Sequence, residues 1–329
     1  MVHRDFVPPR SVLEARARMN RAVRAFFDAR SLLEVETPIA VPSPGLEPHL
    51  EPFATEEVGP DRTRTTLYLH TSPEYAMKRL LGRGIGSVYQ LARVFRNGER
   101  SATHAPEFTL LEWYRQPGTL EALMDDVEGL LAAVAEAVGG PWRSAPAERL
   151  TVSEAFARVG LGDPLDHLDD PEGLRRALAV DPVEGDTWDD VFFRAWLDRV
   201  EPWLAGRPVC IVSGFPAPMA ALARLDPGDP RRAERFEVYL GGLEVANAFG
   251  ELSDPAEQRR RFEADQALRR ARGAVVPPID EGLLDDLPGM GRVAGIALGL
   301  DRLLMRCLDA PRIQDLLPFS PRDDAPDGG

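Results

Sequence analysis

The sequence predicts an α+β fold, and three observations carry that expectation. Two stretches read as β-hairpins, Val94 to Arg115 and Glu234 to Glu251, the second turning on Gly241-Gly242. Segments with helical apolar periodicity surround them: Ser11 to Arg30, Leu120 to Val138 and Ser253 to Arg272. Near the C-terminus an apolar strand, Ala294 to Leu298, is broken by Gly299 and followed by a helix whose first turn holds Asp301 and Arg302.

Taken in order, Ser11 is expected to cap the first helix, whose apolar side carries Val12, Met19, Val23, Phe26 and Phe27. Leu32 to Pro38 alternates like a strand and is halted by proline. Val41 to Pro52 is a proline-rich loop, and Leu67 to His70 a short strand. Ser72 then caps a helix with Pro73 at its first position, which places Glu74 where a carboxylate complements the helix dipole. Leu81 to Ser87 contains three glycines but neither G-x-G-x-x-G order nor a Walker lysine, so it reads as a turn. Residues 141–206 read as a helical insertion with acidic, solvated loops, including helices from Val152 to Val159 and from Trp188 to Val200. Pro208 to Phe215 is a continuous apolar run, as a buried strand requires. The tail 320–329 is polar and rich in Pro, Asp and Gly, and is expected to be disordered.

Composition narrows the function classes. A chain of 329 residues can bury a sizeable core. The two cysteines, Cys210 and Cys307, sit in apolar runs without metal-ligand spacing, which argues for a reducing, cytoplasmic setting without disulfide or zinc. No apolar run approaches the ~18 residues of a membrane span, and the N-terminus lacks a signal-peptide apolar stretch, so no membrane partner is expected. A net charge of -14 opposes broad adhesion to nucleic acid. Lys78 is the only lysine, every other basic residue bar histidine being arginine; compositional bias accounts for that without a functional role.

The chemistry concentrates in three places. In the first hairpin, alternation puts Phe108, Leu110, Glu112 and Tyr114 on one face and Glu107, Thr109, Leu111 and Trp113 on the other. Its loop carries Arg96, Glu99, Arg100 and His104, a set that suits a polyanion or, equally, a salt-bridged sheet rim. In the second hairpin the Gly-Gly turn pairs Tyr239 with Glu244, so Glu237 lies diagonally across from Glu244 on one face, about 7–8 Å away. Two carboxylates at that reach can share magnesium. Strict alternation turns Asn247, Phe249 and Glu251 to the opposite face, so a common pocket needs a bulge near Ala246. Third, Arg302 in a first helical turn joins a cation to the positive end of the dipole, which suits a phosphate.

The segments V-F-R-N-G-E-R-S-A-T-H-A-P-E-F-T-L-L-E-W-Y-R and G-I-A-L-G-L-D-R-L-L-M resemble motifs 2 and 3 of the class II aminoacyl-tRNA synthetases, nearest to the lysyl type. Leu32 to Pro38 resembles motif 1, the dimer interface of that family. The resemblance spans about Phe27 to Leu308. It implies a mostly antiparallel sheet flanked by helices, one catalytic domain over residues 1–319, and a homodimer. By the same resemblance, ATP would lie against Arg96, Asn97, Gly98, His104, Phe108, Glu244, Val245, Gly299 and Arg302, with Arg96 and Arg302 carrying the catalysis. Magnesium would be held by Glu237 and Glu244. An amino acid with two ammonium groups would be surrounded by Ser72, Pro73, Glu74, Ala105, Glu112, Tyr114, Asn247, Phe249, Glu251 and Ala297.

The acyl acceptor is a separate matter. Motif 1 begins near Leu32, which leaves no room for the anticodon-binding barrel of lysyl-tRNA synthetases, so tRNA is not the expected partner. The chain instead resembles the elongation factor P lysine ligases, which attach (R)-β-lysine to a lysine of that translation factor, and Ala297 stands where that family carries alanine and the synthetases glycine. Three positions depart from the pattern: Gly98 in place of glutamate, Thr103 in place of arginine, and Ala105 in place of the asparagine of H-N-P-E-F. An activating enzyme that acylates a carrier protein or tRNA, and a regulatory paralogue without catalysis, stay open beside the ligase.

Overall fold

The computed structural model describes residues 6–142 and 145–320. Of the tail expected to be disordered, 321–329 lie outside the described residues, while Ser320 is buried.

Helix α1 (Arg10–Asp28) starts directly from extended Pro9, whose carbonyl accepts the Val12 N–H, so Ser11 is a helical residue and not the cap. Its buried side is Ala15, Met19, Val23, Phe26 and Phe27. Of the strand expected over Leu32 to Pro38, only β1 (Leu33–Glu34) joins a ladder. Strands β2 (Ala40–Val41), β3 (Phe53–Val58) and β4 (Arg64–Leu69) form a small sheet in the order β2-β4-β3. β3 falls outside the predicted strands because nearly all of it is solvent-facing, leaving no alternation to read. Helix α2 (Glu74–Gly82) has Pro73 one position before its first residue, and the Ser72 hydroxyl accepts the Glu74 N–H at 3.0 Å.

Strands β5 (Val88–Phe95) and β6 (Glu107–Arg115) make the first hairpin, followed by α3 (Leu120–Val138), capped by Thr119. Residues 141–206 are not wholly helical: β7 (Glu148–Thr151) precedes α4 (Val152–Arg158), α5 (Pro171–Ala177), α6 (Trp188–Ala195) and α7 (Glu201–Ala205), and extends the main sheet. Four residues ending at a helix cap are too short to display a strand period. Then come β8 (Cys210–Ser213), β9 (Arg235–Leu240), β10 (Leu243–Gly250), α8 (Pro255–Ala271), α9 (Glu281–Asp286), β11 (Ala294–Gly299) and α10 (Leu300–Cys307).

The main sheet has eight strands in the order β1-β5-β6-β11-β10-β9-β8-β7. The expected mostly antiparallel arrangement is what forms, with parallel pairs only at its two ends, β1 with β5 and β7 with β8. One face packs on α1, α3 and α10: Phe27 stacks on Tyr89 at 4.7 Å between centroids and meets Trp113 at 5.2 Å, over Leu111, Ile296 and Leu298. A second apolar cluster joins Phe156, Phe192 and Trp196 to Val212 and Tyr239 at the β8 end.

In the second hairpin Gly241 and Gly242 take φ of 55° and 79°, the left-handed pair a two-residue turn requires. Tyr239 pairs with Glu244 and Val238 with Ala246, so Val245 is the extra residue of a β-bulge. The bulge anticipated near Ala246 therefore exists, and it brings Asn247 opposite Glu237. Gly295 on β11 pairs with Tyr114 on one side and Phe249 on the other. A methyl there would collide with the Tyr114 ring and the Glu251 carboxylate. Replacing Gly295 with Ala is expected to destabilise the fold by about 1–3 kcal/mol, the usual range for overpacking, read as a lower denaturant midpoint at unchanged m-value.

Candidate active site

The face of the sheet away from α1 and α3 floors a cavity of about 530 Å³. β6 contributes Phe108, Leu110 and Glu112, β10 contributes Glu244, Val245, Asn247 and Phe249, and β11 contributes Ala297 and Gly299. Ser72 and Glu74 enter from the start of α2, Arg96, Thr103, His104 and Ala105 from the β5–β6 loop, and Arg302 from α10. Five residues named from sequence do not line it. Tyr114 and Glu251 are buried beside it, Pro73 is buried just ahead of α2, and Asn97 and Gly98 lie in the loop beyond Arg96. The Asn97 N–H is bonded to the Glu51 carbonyl at 2.7 Å, and Gly98 has φ of 78°, a left-handed conformation in which a glutamate would be strained.

A cationic group forms around Arg302. Its Nη1 donates to the Glu244 carbonyl (2.9 Å), its Nε to the Thr103 carbonyl (3.2 Å) and its Nη2 to His104 Nε2 (2.6 Å). His104 must accept at Nε2, which leaves Nδ1–H to donate to Ser101 Oγ at 2.7 Å. Burial, then the nearby Arg302, lowers the His104 pKa, so the ring is held neutral. Asp301 anchors the start of α10: its carboxylate accepts the Thr109 N–H at 2.6 Å and pairs with Arg16 of α1. Arg96 reaches over Phe108, with its guanidinium 5.1 Å from the ring centroid. Cations fixed before any ligand arrives are what phosphoryl-group chemistry requires of a protein.

An acidic group lies around Glu112, which is 1% exposed. Its oxygens accept the Ser72 hydroxyl at 2.5 Å and the Tyr114 hydroxyl at 3.2 Å. Burial, then the charge of Glu74, pushes the Glu112 carboxyl up to about 8. Glu74 and Glu251 share the ammonium of Lys78, at 2.5 Å and 2.6 Å. Glu47, on the wall of the same cavity, is pushed up to about 7 by burial and by Glu74. A pocket holding so many carboxylates on so few cations suits a ligand with more than one positive charge.

Glu237 and Glu244 form the third group. Arg235 donates to Glu237 Oε1 at 2.6 Å and Tyr239 to its Oε2 at 2.5 Å. Burial, then Glu237, pushes Glu244 up to about 7. A cation between the two would relieve that repulsion, and each Glu237 oxygen retains a further lone pair. The described residues offer no group of three His, Cys, Asp or Glu placed to hold a metal. The pair therefore fits an ion that draws its other ligands from phosphate and water, as magnesium does.

Sequence reasoning missed Lys78, Arg235 and Glu47. Arg235 was accessible, since it is two residues before Glu237 on one strand and so shares its face. The lone lysine of an arginine-rich chain was a signal for Lys78. Glu47 sits in a loop, where no periodicity marks it.

An antiparallel sheet carrying cations from the β5–β6 loop and a C-terminal helix, beside two acidic groups, defines a class II synthetase-type catalytic domain. The sequence profile of the class II tRNA synthetases (D, K and N) matches residues 8–323, and the chain belongs to that family. Within it, the chain is 41% identical to the elongation factor P–(R)-β-lysine ligase of Vibrio cholerae, over 97% of this chain and 98% of that protein. It is 44% identical to the ligases of the same name from Salmonella arizonae and Erwinia tasmaniensis, over 93% of each chain.

Replacing Arg302 with Ala removes three hydrogen bonds to the β5–β6 loop and β10. Loss of one charged bond costs about 1.5–3 kcal/mol, so amide exchange at residues 101–105 is expected to quicken by at least about tenfold in the native protein. Unchanged protection there would show that Arg302 does not hold the loop.

Proposed function

We propose that this chain is an ATP-dependent ligase that activates an amino acid with two ammonium groups, (R)-β-lysine or lysine, and transfers it to a lysine side chain of elongation factor P. The observation that carries this reading is the joining, in one cavity, of the Arg96–His104–Arg302 group to Glu74 and Glu112, with Glu251 buried behind Glu74 on the shared Lys78. Arg96 would grip the α-phosphate of ATP, His104 and Arg302 the distal phosphates, and Phe108 the adenine. The acidic group would hold the two ammoniums, with Asn247, Phe249 and Ala297 along the remaining wall.

The substrate carboxylate then attacks the α-phosphorus, a new P–O bond forms, and the bond to pyrophosphate breaks. The residues supply alignment and charge neutralisation, and no protein nucleophile is required. In the second step the acceptor amine attacks the adenylate carbonyl, AMP leaves, and the amine releases a proton. Glu237 and Glu244 would hold magnesium, which supplies charge neutralisation at the phosphates. Residues 1–319 would work as one catalytic domain in the cytoplasm, dimerising through the region of β1, where Leu33 and Ile39 are exposed. Among the described residues no helix is long and apolar enough to cross a membrane. Ala105 favours a second reading, an activator of a related amino acid for another acceptor: buried at 2% among apolar neighbours, it offers no polar side-chain atom where the family carries asparagine.

Amino-acid-dependent ATP–pyrophosphate exchange is expected with (R)-β-lysine or lysine. Acylation of elongation factor P should vanish when its acceptor lysine is replaced, with exchange persisting. Exchange only with an amino acid lacking a second ammonium would refute the diamine assignment.

A pH dependence follows from Glu112. Its carboxyl is protonated in the empty site below about 8 and must ionise to face an ammonium, so substrate binding releases a proton. Affinity should therefore rise with pH, by at most about tenfold per unit, and level off above that value. Calorimetry in buffers of different ionisation enthalpy should show the released proton, and Glu112→Gln should abolish this contribution.

A further inference from the structure

Lys78 is a charged group that the mechanism above does not use. It lies one turn after Glu74 on α2, 2% exposed, in a chain whose 39 lysine and arginine residues are, but for this one, all arginine. Its Nζ is 2.5 Å from Glu74 Oε1 and 2.6 Å from Glu251 Oε2, so one ammonium links helix α2 to the end of β10. Burial opposes its charge, but Glu251 and Glu74 outweigh burial and hold it protonated. A compact ammonium with three N–H bonds can serve two carboxylates that converge from different elements. The planar fork of a guanidinium is larger and matched to one carboxylate edge-on.

Other charged and titratable groups face this trio from every side. Glu112 and Tyr114 come from β6, Glu47 from the loop before β3, and Arg224 from the loop before β9. Within the acidic group three carboxylates, Glu74, Glu112 and Glu251, meet the single ammonium of Lys78. Once Glu112 ionises on substrate binding, two negative charges remain, the number that a substrate with two ammonium groups neutralises. Without Lys78, Glu74 and Glu251 would face each other as like charges in a dry site, and one would take up a proton.

We propose that Lys78 is a positioning residue for the amino-acid substrate: it fixes Glu74 through Oε1 and ties it to Glu251, so that the arriving diamine meets an aligned carboxylate on the cavity wall. This rests on the assignment of that cavity to a diamine. Lys78 touches neither the substrate nor the reacting atoms, and it acts through Glu74.

The test is ATP–pyrophosphate exchange by the full chain and by Lys78→Met, with (R)-β-lysine and lysine as substrates, across pH 6–9. Expected for the variant is a KM for the amino acid raised by about tenfold or more, with the KM for ATP within about twofold of the parent. The midpoint of the pH profile should move up by about one unit or more, the scale on which a cation at hydrogen-bond distance shifts a carboxylate. An equal loss for both substrates at an unmoved midpoint would assign Lys78 a structural role and overturn the proposal. So would a folded variant with the parent's amino-acid KM.

Should Lys78→Met not fold, the double variant Lys78→Met with Glu251→Gln removes the ion pair as a unit, which proteins tolerate better than a lone buried charge. It is expected to fold with a raised amino-acid KM and a midpoint back near the parent's, because Glu74 no longer faces the charge of Glu251. A double variant with the parent's KM would overturn the proposal. Absence of exchange in the parent with either diamine would refute the diamine reading itself, which separates the two failures.

Discussion

The two-sidedness of β6 is the constraint on which the rest of this structure depends. Leu111 and Trp113 must enter the core under α1 and α3, which leaves Phe108, Leu110 and Glu112 no place except the opposite face. A one-residue slip would bury Glu112 in the apolar core and turn Trp113 to the cavity. Hydrophobic burial thus sets the position of the polar floor, and the neighbours of β6 inherit the register. β11 pairs Ala297 with Glu112, and β10 in turn pairs Asn247 with Ala297.

The bulge at Val245 is the one place where that inheritance is broken. Glu244 pairs before it and Asn247 after it, and both end on the cavity side although three positions separate them. The acidic metal-type pair and the amino-acid wall can therefore share one pocket. Arg302 reads the same stretch of backbone, donating to the carbonyl of Glu244 just ahead of the extra residue. Since α10 is itself tied to β6 and α1 through Asp301, the cations stand on the rigid part of the fold.

Charge in this site is managed by burial as much as by pairing. Glu112, Glu47, Glu244 and Glu251 all have raised pKa values with desolvation as the largest cause. The empty cavity can store protons and exchange them for ligand cations. The permanently charged arginines on the other side of the floor have no such freedom, and the two halves of the cavity therefore respond differently to pH.

Much of this was legible in the amino-acid sequence because it depends on period and local chemistry. The alternation of β6, the Gly-Gly turn of β9 and β10, and the strand, glycine and helix of β11 and α10 can each be read from a window of some ten to twenty residues. Even the need for a bulge follows from counting positions between Glu244 and Asn247. What tertiary structure alone decided are the contacts between distant segments. Nothing local ties Lys78 to Glu251, brings Glu47 into the cavity from a proline-rich loop, or makes β7 the last strand of the sheet. The Ser11 cap and the long first strand failed for the same reason, since propensity proposes where an element begins and ends, while packing against the rest of the chain settles it.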